Sequence, residues 1–283
     1  MYKIKEFSQY KKILSENKRK CINLQTNCLM LADSIKHYLE EERLYYEEYA
    51  DGLIIYVDEM RYYTAYYFWE KECPFPDFST EKKICIEEVD VKNRREDDLK
   101  ILSSKLARKG FAAKAVNNEI VMDLKLHKET LLEQVNRDLQ ELEKQGLRFT
   151  FCQERHIEQV ISLWENALVP TDLPYDHLKF WKCEAAKVLC IVNKDDVVCC
   201  VTWWRDDKGT REGRHIVTNP LFYRRGLGSI MLHAWLADAA KCDLLKARSW
   251  VAADNIKSDA MHKKAGFIYS GKTCVQYILN SVS

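Results

Sequence analysis

From residue 147 onward the sequence changes periodicity in a fixed series, and that series restricts the fold more than any single motif does. "LRFTFCQ" alternates as a strand, while "RHIEQVISLWENAL" and "YDHLKFWKCEAAK" carry helical spacing. "VLCIVNKDDVVCCVTWW" reads as two strands about a polar turn, and "REGRHIVTN" as a third. "GLGSIMLHAWLADAAK" is an apolar helix, "LLKARSWVAAD" a strand, "KSDAMHKKAG" a helix and "KTCVQYIL" a last strand. Strand, two helices, three strands, helix, strand, helix, strand: this order predicts an α/β domain of the α+β kind, built on one mixed sheet.

The first half is less regular. Residues 1–50 read as helices, with Leu24, Cys28, Leu31 and Ile35 at helical spacing. "GLIIYVDEMRYYTAYYFWEK" gives two β-rich runs about a turn at Asp58-Glu59, and "KKICIEEVDV" a third strand. "DDLKILSSKLARKG" is a helix ending at Gly110, and "FAAKAVNNEIVMDL" a further pair of strands. In "KETLLEQVNRDLQELEKQG", Leu131, Val135, Leu139 and Leu142 form one stripe and Gly146 can cap the end, which predicts a connecting helix. The expected organisation is a helical start and a small αβ domain over 1–126, a connecting helix over 127–146 and a larger domain over 147–283.

The halves also overlay. Residues 53–69 lie over 188–204 without a gap, and 84–102 over 214–232. The second overlay sets Arg94-Arg95 on Arg224-Arg225, but puts Glu96 and Asp98 where the later copy has Gly226 and Gly228. Those glycines are informative because the chain holds only nine. They stand one residue apart at the start of an apolar helix, behind two arginines, in "YRRGLGS". A helix N-terminus offers unpaired N–H groups and partial positive charge, and glycine lets phosphate approach the backbone. No G-K-[ST] follows, and no G-x-G-x-x-G opens a βαβ unit, so neither the P-loop nor the dinucleotide fingerprint is present.

The combination "TNPLFYRRGLGS", an amphipathic helix, a strand and then "NIKSDAMHKKAGF" resembles the GNAT superfamily of acyl-coenzyme A N-acyltransferases. Thr218, Pro220, Gly226, Gly228, Asn255, Lys264, Gly266 and Phe267 fall into register with the family's two motifs, and the resemblance spans roughly residues 147–280. It implies a GNAT fold for the C-terminal half and acetyl-coenzyme A, or coenzyme A with another acyl group, as donor. The strand at Ile216, Val217 and Thr218 would bond the pantetheine arm, and the pyrophosphate would sit on Arg224, Arg225, Gly226, Leu227, Gly228 and Ser229. Asn255 would touch the same region. Tyr223 stands where the family has Arg or Gln, and His262 where it commonly has the tyrosine that protonates the departing thiolate. The N-terminal half resembles, more faintly, the degenerate partner domain of tandem GNAT proteins.

Direct acyl transfer needs a neutral amine, and a lysine-like amine is neutral only about one part in a thousand at pH 7. Glu212 and His215, with Asp206 or Asp207, are the candidate bases, and Trp203-Trp204 could line an acceptor pocket. The acceptor reads as a small-molecule or peptide amine of unidentified structure. A second reading is an acyl-coenzyme A-binding sensor or scaffold without catalysis. A net charge of +1 gives no reason to expect nucleic acid, and no apolar run suits a membrane span. Eleven cysteines without C-x-x-C or zinc spacing predict free thiols, no metal and a cytoplasmic protein; a homodimer is left open.

Overall fold

In the computed structural model, which describes residues 1–28, 30, 32–59, 62–78, 80–90, 96–167, 187–203 and 209–279, period-two runs become strands and helical stripes become helices. The first half runs β1 (Tyr2–Lys3), α1 (Phe7–Lys20), β2 (Leu24–Thr26), α2 (Ala32–Glu40), β3 (Leu44–Tyr49), β4 (Gly52–Asp58), β5 (Tyr62–Glu70), β6 (Lys83–Asp90) and α3 (Glu96–Arg108). Then come β7 (Ala112–Asp123), α4 (Leu124–Lys144), β8 (Leu147–Phe151), α5 (Ile157–Ala167), β9 (Lys187–Asn193), β10 (Asp196–Trp203) and β11 (Thr210–Thr218). The chain ends with α6 (Leu227–Lys241), β12 (Lys246–Ala252), α7 (Ile256–Lys264) and β13 (Ile268–Leu279). The helix expected at "YDHLKFWKCEAAK" lies outside the described residues, apart from its last residue, Lys187, which opens β9.

Two compact units result: residues 1–116 with 272–283, and residues 117–271. The chain leaves the first unit inside β7 and re-enters it inside β13. These divisions fall elsewhere than 126/127 and 146/147, because apolar alternation marks a strand without saying which sheet it joins. The helix α4 lies within the second unit and packs on α6, with Leu131 and Leu142 in the core. Asp123 caps its first turn, accepting from the amides of Lys125 and Leu126.

In the second unit, β8, β9, β10 and β11 pair antiparallel in turn. β11 then pairs parallel with β12, and β12 antiparallel with the Asn117–Asp123 part of β7. One face packs on α6, whose leucines, alanines, Met231 and Trp235 are buried on nearly every side. A helix apolar all round is a buried helix. The other face packs on α5 through Val160, Leu163 and Trp164.

The first unit repeats this plan. β1, β3, β4 and β5 pair antiparallel in turn, β5 pairs parallel with β6, and β6 pairs antiparallel with the Thr273–Leu279 part of β13. Every pairing direction matches, so β5 corresponds to β11 and β6 to β12. The overlay of residues 84–102 on 214–232 is therefore out of register: it sets β6, the counterpart of β12, on β11, since apolar runs align whichever strand of the sheet they form. Residues 84–102 do form a strand followed by a helix, but α3 matches α7 rather than α6. Between β5 and β6, where the second unit has α6, the described residues contain no helix.

Three further expectations change. Residues 1–50 hold β1, β2 and β3 as well as helices; of the supposed stripe, Leu24 is in β2, Cys28 is in neither helix and Ile35 alone among its described members is helical. The "FAAKAVNNEIVMDL" pair is one continuous strand, because Asn117 and Asn118 pair with Ala252 and Val251 instead of turning. The mixed α/β class itself holds in both units.

A short strand also lies along β5. β2 pairs antiparallel with it at Leu24↔Glu70, Gln25↔Trp69 and Thr26↔Phe68. β6 pairs with the same strand only from Tyr62↔Lys83 to Thr64↔Cys85. Asn27 fills the interval: its amide donates to the carbonyls of Ala65 and Glu87, each at 3.1 Å, and its oxygen accepts from Tyr67 N–H at 2.8 Å.

Candidate functional site

The site of the second unit begins where two strands part. β11 and β12 pair from Thr210↔Lys246 to Gly213↔Ser249 and no further, while β11 stays bonded to β10 as far as Cys199↔Thr218. Between Cys200↔Val217 and Thr202↔Arg214, β10 holds one residue and β11 two, which is a bulge. His215 lies in it with φ +48°. Trp235 of α6 packs so closely on Gly213 that a Cβ there would meet its ring at 2.7 Å. Ile216, Val217 and Thr218 thus line one side of an opening in the sheet.

At the end of β11 the chain turns over Pro220. Asn219 fixes the turn, its side chain accepting from Leu221 N–H at 3.0 Å. Arg224 and Gly226 both take left-handed φ, +64° and +75°, and α6 starts at Leu227 with no side-chain cap. The amides of Arg224, Arg225, Gly226, Leu227, Gly228 and Ser229 meet no hydrogen-bond acceptor among the described residues. Such a run of amides suits an anion. Arg225 lies over the Phe222 ring at 4.9 Å, and both arginines are exposed.

Gly228 is the telling residue. It is inside a helix, where glycine costs about 1 kcal/mol against alanine. Its added Cβ would meet nothing closer than Met261 Sδ at 3.4 Å. Packing does not require glycine there, whereas a close-lying ligand would. Asn255 caps α7 with its oxygen, accepting from Ser258 N–H at 3.0 Å, which leaves its amide NH2 to face outward.

The three residues expected to do chemistry are held differently. His262 is buried, stacked edge-on against Phe267 at 5.1 Å, with Nδ1 donating to the Ser258 carbonyl at 2.8 Å. Burial holds its pKa below the usual histidine value, although the Ser258 bond and Asp259 oppose that. The neutral ring in this tautomer has Nε2 bare. Glu212 accepts from Arg214 and Arg248. Burial pushes its pKa up, but the two guanidiniums outweigh that and keep the carboxyl below its ordinary range. His215 sits 6.1 Å from the Trp164 ring, and burial, helped by Arg214, pushes its pKa down to about 3.

His215 gives a direct prediction. With a folded pKa near 3 and an unfolded value near 6.5, the unfolded chain binds the proton first. Stability associated with His215 is therefore complete above pH 6.5 and declines as pH falls toward 3. His215→Gln should flatten the drop in melting temperature between pH 7 and pH 5.

Trp203 is core, beneath the Arg211 guanidinium at 4.9 Å, while Trp204, Asp206 and Asp207 lie outside the described residues, as do Arg94 and Arg95. Sequence reasoning missed Arg214, Arg248 and Glu119, which surround Glu212. Glu119 arrives on β7, far away in sequence, and no local signal ties it to Arg248. A cavity of about 760 Å³ lies between α5 and Pro220–Phe222. Among the described residues its lining includes Glu158 and Asp196 but no lysine or arginine, which does not favour phosphate.

A mixed sheet parted beyond a parallel pair, with an uncapped glycine-rich helix start at the end of the parted strand, is the arrangement of the GNAT fold. Residues 157–267 match the model of the acetyltransferase (GNAT) family, and the C-terminal half of this chain is a GNAT domain. The family model takes in α5 through α7, including both motifs. A GCN5-related N-acetyltransferase from Kribbella flavida is similar over 90% of this chain and 98% of its own, with TM-score 0.54 and 14% identity. A tandem GNAT protein from the clavulanic acid biosynthesis pathway is similar over 85% of this chain and 84% of its own, with TM-score 0.55 and 10% identity. A GCN5-related N-acetyltransferase from Sphaerobacter thermophilus covers 88% and 87%, with TM-score 0.54 and 9% identity. At these identities the likeness is one of fold. No curated protein matches the sequence. No helix among the described residues is long and apolar enough to cross a membrane, and the described cysteines are free thiols.

Proposed function

We propose that the second unit transfers an acyl group, acetyl foremost, from coenzyme A to a primary amine within one ternary complex. The observation that carries this reading is the run of unengaged amides at Arg224–Ser229, placed at the end of the strand that parts from β12. Backbone groups of Ile216, Val217 and Thr218 would bond the pantetheine arm as an added strand would. The amides of 224–229 with Arg224 and Arg225 would hold the diphosphate, and the free NH2 of Asn255 would reach the same region. In the transfer the amine nitrogen bonds to the acyl carbon as the C–S bond breaks; the amine loses a proton and the thiolate gains one.

The amine's proton passes to water in this reading, because His215, held near pKa 3, is too weak a base to take it. Glu212, ionised and tied to two arginines, holds the strand rather than taking a proton. His262 serves the thiolate only after a tautomer change, which Ser258 Oγ, 3.3 Å from Nδ1, can support by donating to that nitrogen. The first unit binds no cofactor, since β2 and Asn27 occupy the edge of β5 that corresponds to the open edge of β11.

Titration calorimetry should give one coenzyme A per chain, and thiol release from acetyl-coenzyme A should depend on an added amine. Two equivalents would show the first unit to be competent. His262→Ala should lower kcat more than it changes KM for acetyl-coenzyme A. A second reading, a non-catalytic acyl-coenzyme A sensor or scaffold, is favoured by the Nδ1-protonated tautomer of His262. Tight binding with no amine-dependent thiol release across a broad amine panel would establish it.

A further inference from the structure

The sheet face of the second unit opposite α6 carries a charged group at the point where β11 and β12 part. Ala247 and Val251 of β12 enter the α6-side core, so Arg248 and Trp250 project from the other face. Directly paired residues share a face. Glu212 pairs with Arg248 on the second-last rung before the parting, and Glu119 of β7 pairs with Trp250. Arg214 follows Gly213 on β11, two residues past Glu212.

The charges are layered. The carboxylate side chains of Glu212 and Glu119 are 13% and 3% exposed, whereas the arginine side chains of Arg214 and Arg248 are 38% and 39% exposed. Glu212 accepts from both arginines, and Glu119 lies 3.8 Å from Arg248 Nη1, too far for a hydrogen bond. Among the described residues the Arg248 guanidinium donates only the bond to Glu212, and its Nε has no partner. The two acids lie beneath Arg248, and the face presents its guanidinium to an incoming molecule.

We propose that Arg248 receives a carboxylate carried by the acceptor, so that the acceptor class is an amine with its own nearby carboxylate, such as a free α-amino acid. This rests on the acyl-transfer reading above. A guanidinium fork matches a carboxylate in two parallel hydrogen bonds. Bound at the parting of the strands, the carboxylate leaves the adjoining amine facing the gap where a pantetheine-borne acyl group would arrive. Glu212 and Glu119 offset the arginine charge, so the face is selective for an acceptor that carries both charges rather than for any polyanion.

The test uses the full chain with acetyl-coenzyme A and matched acceptors: an α-amino acid, its carboxamide and the decarboxylated amine, across several side chains. Thiol release should favour the acid over its two relatives by about 10- to 100-fold in kcat/KM, the range for one charge-assisted pair. Arg248→Gln should collapse that preference toward one, and Arg248→Lys should restore part of it, with coenzyme A affinity by calorimetry as the check on folding. Equal or better use of the carboxamide or amine by the wild type overturns the acceptor class and leaves acyl transfer standing. Equal losses with all three acceptors in Arg248→Gln also overturn it. Coenzyme A binding without thiol release from any acceptor overturns both readings.

Discussion

Gly228→Asp should abolish coenzyme A binding at micromolar concentrations while leaving the fold intact. The added carboxylate would stand beside the diphosphate on the amides of 224–229. At about 4 Å and an effective dielectric of ~20, each like-charge contact costs roughly 4 kcal/mol, close to a thousandfold in affinity. Nothing in the protein opposes the side chain, since the nearest atom to a Cβ is Met261 Sδ at 3.4 Å. An acid in the first turn of α6 also favours the helix. Thermal stability should therefore hold or rise as affinity falls, and part of the affinity should return at high salt. Gly228→Ala separates size from charge: a stabler protein with a smaller loss of affinity is expected. Equal calorimetric affinities for wild type and Gly228→Asp would remove the diphosphate from this turn.

Asp238→Asn should bring the largest loss of stability. Arg211 is fully buried, and its guanidinium donates to Asp238 Oδ2 at 2.5 Å while lying against Trp203. Removing one partner of a buried pair costs about 3–5 kcal/mol where the remaining charge is left alone, whereas Arg211 keeps its contacts to Cys242 Sγ and the Trp203 ring. The Asp238 side chain is 35% exposed, so about 2–3 kcal/mol is the better expectation here. Urea unfolding followed by tryptophan fluorescence would read this as a lower midpoint with an unchanged slope. Because Arg211 lies on β11 just before the parting, coenzyme A affinity should fall less than stability does.

Much of this was legible in the sequence where signals were local. Gly226 and Gly228 marked the start of α6, and the alternation of "VLCIVNKDDVVCCVTWW" its hairpin. Longer-range features escaped. Leu24–Thr26 read as helix because Leu24 has apolar neighbours at helical spacing, but its structure is decided by the edge of β5, more than forty residues later. Asn117-Asn118 looked like a turn because asparagine favours turns, yet pairing with β12 overrode that preference. His262 was legible as a position but not as a tautomer, which depends on the carbonyl of Ser258. The group around Glu212 could not be read at all, since Glu119 and Arg248 meet only through strand pairing.

At the plugged edge of β5 the occupant is part of the chain: β2 bonds that strand through backbone groups and Asn27 through its side-chain amide. A tethered segment competes at an effective concentration in the millimolar range or above and is never diluted. No cellular level of free coenzyme A readily displaces such a resident. The edge of β5 is thus a closed joint, held by a segment of the same chain. Loss of Leu24–Asn27 would open that edge, and the unit would then lose hydrogen bonds that now close its sheet.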